Sequence, residues 1–425
     1  MTSQYGGALF IIIYLLFIIF FSIPLFTAET LIGRRAQTNA CEAFNKLSHG
    51  KMRWAGSFGM IGCFLVTSYY CVVGGWCINY LFRSVANLLG RGGLSGIESL
   101  QTTFVTVSGS LPQWSESVQS VLFTLVFALT CGAIVIIGVK KGIETSCKWI
   151  MPILFLLIIF MAIRVMFLPG AMEGMAFLFR PDFSCINGKV VMAAMGQAFF
   201  SLSLGSMAVI TYGSYMRRDD SIGQISTFTA FSDTIFAVIA SVMIIPAVFA
   251  MGLEVSQGAG VSFISMPFVF SNIPGGPVLL ILFFIGLLFA SVSSEISMLE
   301  SNVAYVMEKL KMSRKGATIL VTLTASVFAV LCALSFGPLS HIKILDRNIF
   351  DLFDAATANI FFPVTGVLGT ILIGWVMKKE HVVAELSRTS SPRPHKTTIK
   401  AFYVITKYII PIMVTAIIIN GLISQ

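Results

Sequence analysis

Apolar runs long enough to cross a lipid bilayer recur along the whole chain. A transmembrane helix needs about 20 predominantly apolar residues, because the hydrocarbon layer is about 30 Å thick. The pattern predicts ten such helices, at 8–32, 55–82, 117–138, 147–168, 191–215, 223–251, 277–307, 316–336, 348–377 and 401–423. Several exceed the bilayer thickness, so we expect tilted helices. The chain is therefore predicted to be an all-α polytopic membrane protein forming one domain over residues 1–425.

Basic residues lie in alternate loops between these helices. Most of the 28 Lys and Arg residues fall in five segments: "GRRAQTNACEAFNKLSHGKMR", "KKGIETSCK", "RRDD", "EKLKMSRK" and "KKEHVVAELSRTSSPRPHKTTIK". The intervening loop 252–276 contains neither residue type. The positive-inside rule then predicts that the basic loops are cytoplasmic and that the C-terminus lies outside the cell.

The same topology predicts that the first segment, "MTSQYGG", lies outside the cell with no signal peptide before it. A few polar residues can cross the membrane together with a first helix. The simpler expectation is that one more membrane segment precedes residue 1.

Composition narrows the range of partners. Hydrophobic residues make up 56% of the chain and charged residues only 11%, which leaves no room for a soluble catalytic domain. The net charge of +9 is typical of nucleic-acid binding or of positive cytoplasmic loops, and the membrane pattern favours the second. We therefore expect the lipid bilayer as a partner and no nucleic acid. The eight cysteines lie mostly in or beside apolar runs without CxxC spacing, so neither disulfides nor zinc are expected.

Carboxylates inside the predicted helices are candidates for function, because ionisable groups are expensive in a membrane. Asp233 lies about two turns into its helix, and nothing basic is close to it in sequence. Its natural partner is a bound cation or a polar group on another helix. Asp354 could instead lie at the outer membrane interface, where a carboxylate costs little. Glu300 could instead snorkel or cap its helix at the cytoplasmic end. Glu295 lies in the same helix as Glu300.

Two clusters of hydroxyl groups fall near the middle of two predicted helices. They are Ser201, Ser203 and Ser206, and Ser291, Ser293 and Ser294. Serines can serve helix packing alone. Two such clusters, each with glycine or alanine beside it, favour a hard cation instead, because oxygen ligands without thiolate or imidazole suit such an ion. The four histidines lie in loops or at helix ends, so a histidine proton relay is not expected.

The segment "SLSLGS", residues 201–206, predicts an interruption of its helix. Secondary transporters build sites from interrupted helices, whose half-helix ends direct their dipoles at substrate and whose freed carbonyls bind ions. An ion and substrate site is therefore predicted here.

Several segments of the chain resemble the neurotransmitter:sodium symporters in their short bacterial form with eleven helices. They are "IPLFTAETLIGRR", "SYYCVVGGW", "GVKKGIE", "GQAFFSLSLGSMAVITYGSY" followed by "MRRDD", "FDLFDAATANIFFPVTGVLGTILIGWVM" and "KYIIPIMVTAIIINGLI". The resemblance implies an inverted-repeat fold in which ten of eleven helices are present and the first is lacking. Residues 8–168 would be the remainder of the first repeat, 191–377 the second repeat, and 401–423 an additional C-terminal helix.

The resemblance also implies site residues. The substrate pocket would comprise Val66, Tyr70, Phe200, Ser203, Ser206, Ser294 and Met298. In it, Tyr70 would hold the substrate carboxylate and Phe200 would form an aromatic lid. One sodium site would use Ser201 and Asp233, and a second Ala290, Ser293 and Ser294. The gates would be Asp354 outside and Tyr215 with Glu308 inside.

Two positions depart from common family patterns. The region where animal relatives bind chloride corresponds to Tyr14, Gln197, Ser201 and Asp233. Asp233 is a carboxylate where some relatives have asparagine, and a fixed negative charge there would replace chloride. Ser206 stands where a bacterial relative has a bulky phenylalanine, which favours a larger pocket.

These features favour sodium-coupled import of an amino acid, apolar or aromatic, across the inner (plasma) membrane. Homodimerisation is left open. The alternative is a truncated, non-transporting remnant or membrane scaffold, because the first substrate-binding helix is absent. An enzyme is disfavoured, since no nucleophile–base pair or phosphate-binding loop is recognisable. A channel is disfavoured because a repeated pore motif is absent.

Overall fold

The fold is built from α-helices, which confirms the predicted class. The structure, a computed structural model, describes residues 7–90, 94, 96–110, 114–252, 259–388 and 395–423. In these residues the extended pairing is limited to one isolated bridge between Ile344 and Arg347. The helices are α1 (Ala8–Ala36), α2 (Ala40–Leu47), α3 (Arg53–Leu88), α4 (Ile97–Ser108), α5 (Trp114–Ile137), α6 (Val139–Met166), α7 (Ala171–Phe179), α8 (Gly188–Ser201), α9 (Ala208–Tyr215), α10 (Ile222–Ala250), α11 (Val261–Ser271), α12 (Gly276–Leu310), α13 (Arg314–Leu334), α14 (Ile349–Val376), α15 (Lys379–Leu386) and α16 (Lys396–Ile423).

Nine helices in the described part of the chain are long and apolar enough to cross a membrane: α1, α3, α5, α6, α10, α12, α13, α14 and α16. Each coincides with a predicted helix, with ends shifted by a few residues. The largest shift is at α6, which begins at Val139 where the apolar pattern had placed its start at 147. Helical hydrogen bonding therefore extends beyond the strictly apolar core of that segment.

The predicted helix at 191–215 is interrupted, as the sequence indicated. Helix α8 ends at Ser201 and α9 begins at Ala208. Between them the backbone has positive φ at Ser203 (52°), Gly205 (76°) and Met207 (67°). L-residues rarely adopt this left-handed conformation, so these residues cannot continue a right-handed helix.

Short π-helical segments lie inside or at the ends of several helices, and the sequence pattern did not predict them. They are Ile18–Ser22 in α1, Val139–Glu144 in α6, Val261–Ser265 in α11, Thr357–Phe361 and Leu372–Val376 in α14, and Ile405–Ile409 in α16. A π segment inserts a residue without changing the apolar character of a helix, so hydropathy carries no signal for it.

Glycines set the closest helix contacts in the core. Helix α9 lies against α1, where an added Cβ on Gly33 would lie 1.9 Å from the Ile210 carbonyl oxygen. Helix α3 packs against both α5 and α12. A Cβ on Gly75 of α3 would lie 2.7 Å from the backbone nitrogen of Thr124 in α5. Small residues let helices approach in a membrane, where packing replaces the hydrophobic driving force.

The break itself depends on Gly205. A Cβ there would lie 2.0 Å from the Phe362 carbonyl oxygen, and its φ of 76° is already strained for any other residue. We expect Gly205→Ala to lower the free energy of unfolding by at least about 1–2 kcal/mol, the cost of left-handed backbone alone. Its melting temperature, measured by thermal shift in detergent, should fall accordingly.

Gly223→Ala is the matched control, because a Cβ at Gly223 meets nothing within 4 Å. It should leave the melting temperature unchanged or raise it, since Ala favours helix over Gly. Equal melting temperatures for Gly205→Ala and the parent chain would show that the break does not require glycine.

Candidate functional site

A cavity of about 610 Å³ opens at the helix break. It is bounded by the α8–α9 break, by α3 and by α12. All seven residues predicted for the substrate pocket line it: Val66, Tyr70, Phe200, Ser203, Ser206, Ser294 and Met298. The structure thus brings together residues that are up to 232 positions apart in the sequence. Their binding roles stay predictions.

The walls of this cavity are mostly aromatic and aliphatic. Phe26, Tyr212 and Phe362 add rings beside Phe200 and Tyr70. Among the described residues that line it, none is Asp, Glu, Lys, Arg or His. The polar groups are the serine and threonine hydroxyls, the hydroxyls of three tyrosines and the main chain at the break. Such a site suits a ligand with an apolar body and a few polar groups at one end.

Glu29 of α1 holds the break in place. Its side chain is 1% exposed, and its Oε1 accepts a hydrogen bond of 2.8 Å from the Gly205 backbone nitrogen. Ser206 Oγ donates to the Ser203 carbonyl oxygen at 2.6 Å, and Ser22 Oγ donates to the Ala198 carbonyl oxygen at 2.7 Å. Sequence reasoning assigned no role to Glu29, although a lone carboxylate in an apolar run was a usable signal.

The two half-helices present opposite dipole ends at the break. Helix α8 presents its C-terminal carbonyls at Ser201, and α9 presents its N-terminal amides at Ala208. The first end favours a cation or an ammonium group, and the second an anionic group. A zwitterionic ligand is therefore matched by backbone dipoles without a charged side chain.

Asp233 is connected to the break by a chain of hydroxyl groups. The Tyr14 hydroxyl donates to Ser201 Oγ at 3.0 Å, and Ser201 Oγ donates to Asp233 Oδ2. Within the described part of the chain, Asp233 forms no ion pair with Lys, Arg or His. A partly buried carboxylate without a basic partner, beside a hydroxyl and a helix C-terminus, offers the oxygen ligands that a sodium ion takes.

The residues predicted for the second sodium site lie on one turn of α12. Ser293 Oγ donates to the Ala290 carbonyl oxygen at 2.9 Å, and Ser294 is exposed towards the cavity. Ser293 and Ser294 both line the cavity wall. The turn therefore presents one carbonyl and two hydroxyl oxygens close together, a hard donor set.

The predicted chloride region borders a second, smaller cavity of about 260 Å³. Tyr14 and Gln197 line it together with Ser241 and Ala237 of α10. Ser201 and Asp233 adjoin this region through the Tyr14 hydroxyl. All four predicted residues are thus neighbours.

A family model described as the "Sodium:neurotransmitter symporter family" matches residues 1–92 and 97–425. The chain belongs to this family. Membership confirms the resemblance drawn from segments along the whole chain, and it identifies a transporter and not an enzyme.

Relatives of this symporter family match along nearly the whole chain. An uncharacterized sodium-dependent transporter of Haemophilus influenzae is 32% identical over 431 residues, covering 99% of this chain and 92% of the relative. The uncharacterized sodium-dependent transporter YhdH of Bacillus subtilis is 32% identical, covering 98% of this chain and 90% of the relative. The fold is similar to the crystal structure of MhsT in complex with L-phenylalanine, with a TM-score of 0.86 and 39% identity over 99% of this chain and 93% of MhsT.

At the predicted outer gate of this symporter-family protein, Asp354 contacts Tyr69. The two side chains lie close together. Tyr69 also lines the main cavity and packs its ring on Phe350, with centroids 5.3 Å apart. Sequence reasoning selected Tyr70 and overlooked Tyr69. Nothing in the adjacent pair Tyr69 and Tyr70 of α3 indicates from sequence that Tyr69 also lines the cavity and lies beside Asp354 of α14.

The structure does not bring together the two residues predicted for the inner gate. The Tyr215 hydroxyl donates to Glu300 Oε1 at 2.6 Å. Glu308 instead accepts hydrogen bonds from the backbone and side-chain nitrogens of Asn39, which also caps α2.

Glu300 is neither a capping nor a snorkelling residue. It is fully buried and forms an ion pair with Arg314 of α13, whose Nε donates to the Val135 carbonyl oxygen at 3.1 Å. Together with Tyr215, this pair ties α9 to α12, α13 and α5. The sequence placed Arg314 in a basic loop, so hydropathy gave no sign of the pairing.

Arg314→Gln should destabilise the protein strongly, because it leaves the buried Glu300 carboxylate uncompensated. Breaking a buried pair in this way costs about 3–5 kcal/mol. The melting temperature in detergent measures the loss. The double variant Glu300→Gln/Arg314→Gln should recover most of it, since no buried charge remains.

Lys148→Gln is the control, because Lys148 pairs with Glu144 at 2.8 Å while both side chains are well exposed. Such a surface pair contributes about 0–1 kcal/mol. If Arg314→Gln and the Lys148→Gln control have the same melting temperature, the buried Glu300 carboxylate does not need Arg314 for stability.

Proposed function

We propose that the protein imports an amino acid together with sodium by alternating access around the α8–α9 break. The observation that carries the proposal is the juxtaposition of the 610 Å³ cavity, two opposed half-helix ends and the carboxylate of Asp233, which has no basic partner in the described part of the chain. The symporter family and its sodium-dependent relatives support sodium coupling.

The substrate is a neutral amino acid with an apolar or aromatic side chain. Its ammonium group faces the C-terminal carbonyls of α8, where the dipole favours positive charge. Its carboxylate interacts with Tyr70, and Phe200 covers it. The aromatic walls and the lack of acidic or basic side chains among the described lining residues support this class. MhsT, of similar fold, was solved with L-phenylalanine.

Two sodium ions bind beside the substrate. The first is bound by Ser201 and Asp233, and the second by the Ala290 carbonyl and the hydroxyls of Ser293 and Ser294. The hydroxyl that now donates within each group, Ser201 to Asp233 and Ser293 to Ala290, can rotate its hydrogen away and present a lone pair. Chloride is not required, because Asp233 supplies the negative charge.

Alternating access exchanges contacts at the two ends of the cavity. Asp354 and Tyr69 mark the outer end, and Tyr215 with Glu300 and Arg314 the inner end. The Tyr215 contact lies on α9, so movement of this half-helix links the inner end to the break. Glu308 remains a candidate inner-gate residue and is hydrogen-bonded to Asn39 in this conformation.

The proposed location is the inner membrane, with the basic loops in the cytoplasm and the C-terminus outside the cell.

Uptake of labelled phenylalanine or leucine into proteoliposomes should require sodium. Replacing external sodium by choline should reduce uptake to the level of empty vesicles, because the first cation site loses its ion. Asp233→Ala should abolish sodium-dependent uptake for the same reason. Initial rates over an imposed sodium gradient measure both effects.

Asp351→Ala is the matched control, since Asp351 is an exposed carboxylate on the first turn of α14. The Asp351→Ala variant should retain sodium-dependent uptake.

Replacing chloride by gluconate should leave the uptake rate of the parent chain unchanged. Uptake that persists in choline, or in Asp233→Ala, would contradict sodium coupling through this site. Absence of uptake under every condition would favour the non-transporting alternative.

A further inference from the structure

Two π-helical segments cross at one end of α14 and α16. They are Leu372–Val376 and Ile405–Ile409. The crossing is close because Gly374 faces Lys407: an added Cβ on Gly374 would lie 2.9 Å from the Lys407 Cα. Single π turns inside α-helices occur frequently at functional sites.

Each segment is fixed by a side chain of the other helix. The Tyr403 hydroxyl donates to the Gly374 carbonyl oxygen at 3.1 Å. Trp375 Nε1 donates to the Lys407 carbonyl oxygen at 3.3 Å. The two helices therefore exchange hydrogen bonds, which holds the aromatic rings in place before any ligand arrives.

Three rings surround the ammonium group of Lys407. Its Nζ lies 4.6 Å from the ring centroid of Trp375, 5.6 Å from that of Tyr408 and 5.7 Å from that of Tyr403. A second ammonium group shares one of these rings: Lys379 Nζ lies 5.4 Å from the ring centroid of Tyr403. We call these five residues the aromatic–lysine cradle. Cation–π contacts of this kind hold an ammonium group without neutralising its charge.

The cradle faces outward and is positively charged. Trp375 is 62% exposed and Tyr408 50% exposed. In the described part of the chain, neither Lys379 nor Lys407 forms an ion pair with an acidic residue. Lys400, exposed and two turns before Lys407 on α16, adds a further positive charge. The acidic Glu385 of α15 pairs with Arg34 and Arg35 instead.

The cradle also lies at membrane-interface depth. Lys407 is inside a helix apolar enough to cross the bilayer, and Trp375 is close to the end of another such helix. Tryptophan and tyrosine concentrate at the headgroup level, and the basic loop 378–400 marks this end as cytoplasmic. A lysine that only snorkelled would extend to water, whereas Lys407 is held beneath three rings beside a second lysine.

We propose that the aromatic–lysine cradle binds the phosphate group of an anionic phospholipid from the cytoplasmic leaflet. The ammonium groups of Lys379 and Lys407 contact the phosphate, and the exposed faces of Trp375 and Tyr408 pack on the glycerol and upper acyl chains. Basic pockets between transmembrane helices on the cytoplasmic side recognise lipid headgroups in this way.

The test compares binding of phosphatidylglycerol and phosphatidylcholine to the purified full chain. Lipid is titrated into delipidated protein in detergent, and bound lipid is counted by native mass spectrometry. The parent chain should prefer phosphatidylglycerol. Lys379→Gln/Lys407→Gln should weaken phosphatidylglycerol binding about 25-fold, from the roughly fivefold contribution of each lysine, and should leave phosphatidylcholine binding unchanged.

Three further variants separate charge, rings and folding. Lys148→Gln removes an exposed lysine from α6, on the same predicted side of the membrane, and should have no effect. Lys407→Arg keeps the charge and should retain the preference. Trp375→Leu keeps both lysines and should cause a smaller loss. If the double variant is not monodisperse by size exclusion, the exposed Lys379→Gln alone carries the test, with a loss of about fivefold.

Two results would overturn the proposal. One is equal phosphatidylglycerol binding by the parent chain and the lysine variants. The other is displacement of the lipid by millimolar inorganic phosphate, which would show a site for a soluble anion and not for a lipid. Neither result bears on amino-acid uptake, because the cradle shares no residue with the 610 Å³ cavity.

Discussion

The structure depends on one constraint, the need to satisfy main-chain hydrogen bonds where a helix stops inside a membrane. Lipid offers no partner to a freed N–H or C=O group, and each unsatisfied group costs several kcal/mol. At the α8–α9 break the partners come from neighbouring side chains, with Glu29 accepting from Gly205 and Ser22 donating to Ala198. Helix α1 must therefore lie against the break, and the glycine contact between α1 and α9 allows it.

The same break generates the site. Stopping α8 at Ser201 exposes a negative dipole end beside Asp233, while starting α9 at Ala208 turns a positive end towards the cavity. Ser201 belongs to both the break and the Tyr14–Ser201–Asp233 chain of hydroxyls. Helix α9, on the other side of the break, is tied through Tyr215 to Glu300 and Arg314. Under the proposed function, cation binding beside Ser201 is therefore linked to the position of α9.

Sequence reasoning predicted what hydropathy and local chemistry encode. The long apolar helices and the break at "SLSLGS" followed from run length and from glycine among serines. The family resemblance then placed seven residues that do line one cavity. It did not predict the buried Glu300–Arg314 pair, the contact of Tyr69 with Asp354, or the role of Glu29. These depend on which helix faces meet, and a single sequence of uniformly apolar helices does not specify that. The π-helical segments were missed because they change helix register and not hydropathy.

The central claim is that Asp233 binds a cation at the break, and direct sodium binding tests it. Radioactive sodium should bind the purified chain saturably in the absence of substrate and of chloride, with an excess of potassium present. Asp233→Ala should weaken this binding by at least about tenfold, equivalent to about 1.4 kcal/mol, because the carboxylate beside Ser201 is removed. Sodium binding of equal affinity in the parent chain and in Asp233→Ala would contradict the account.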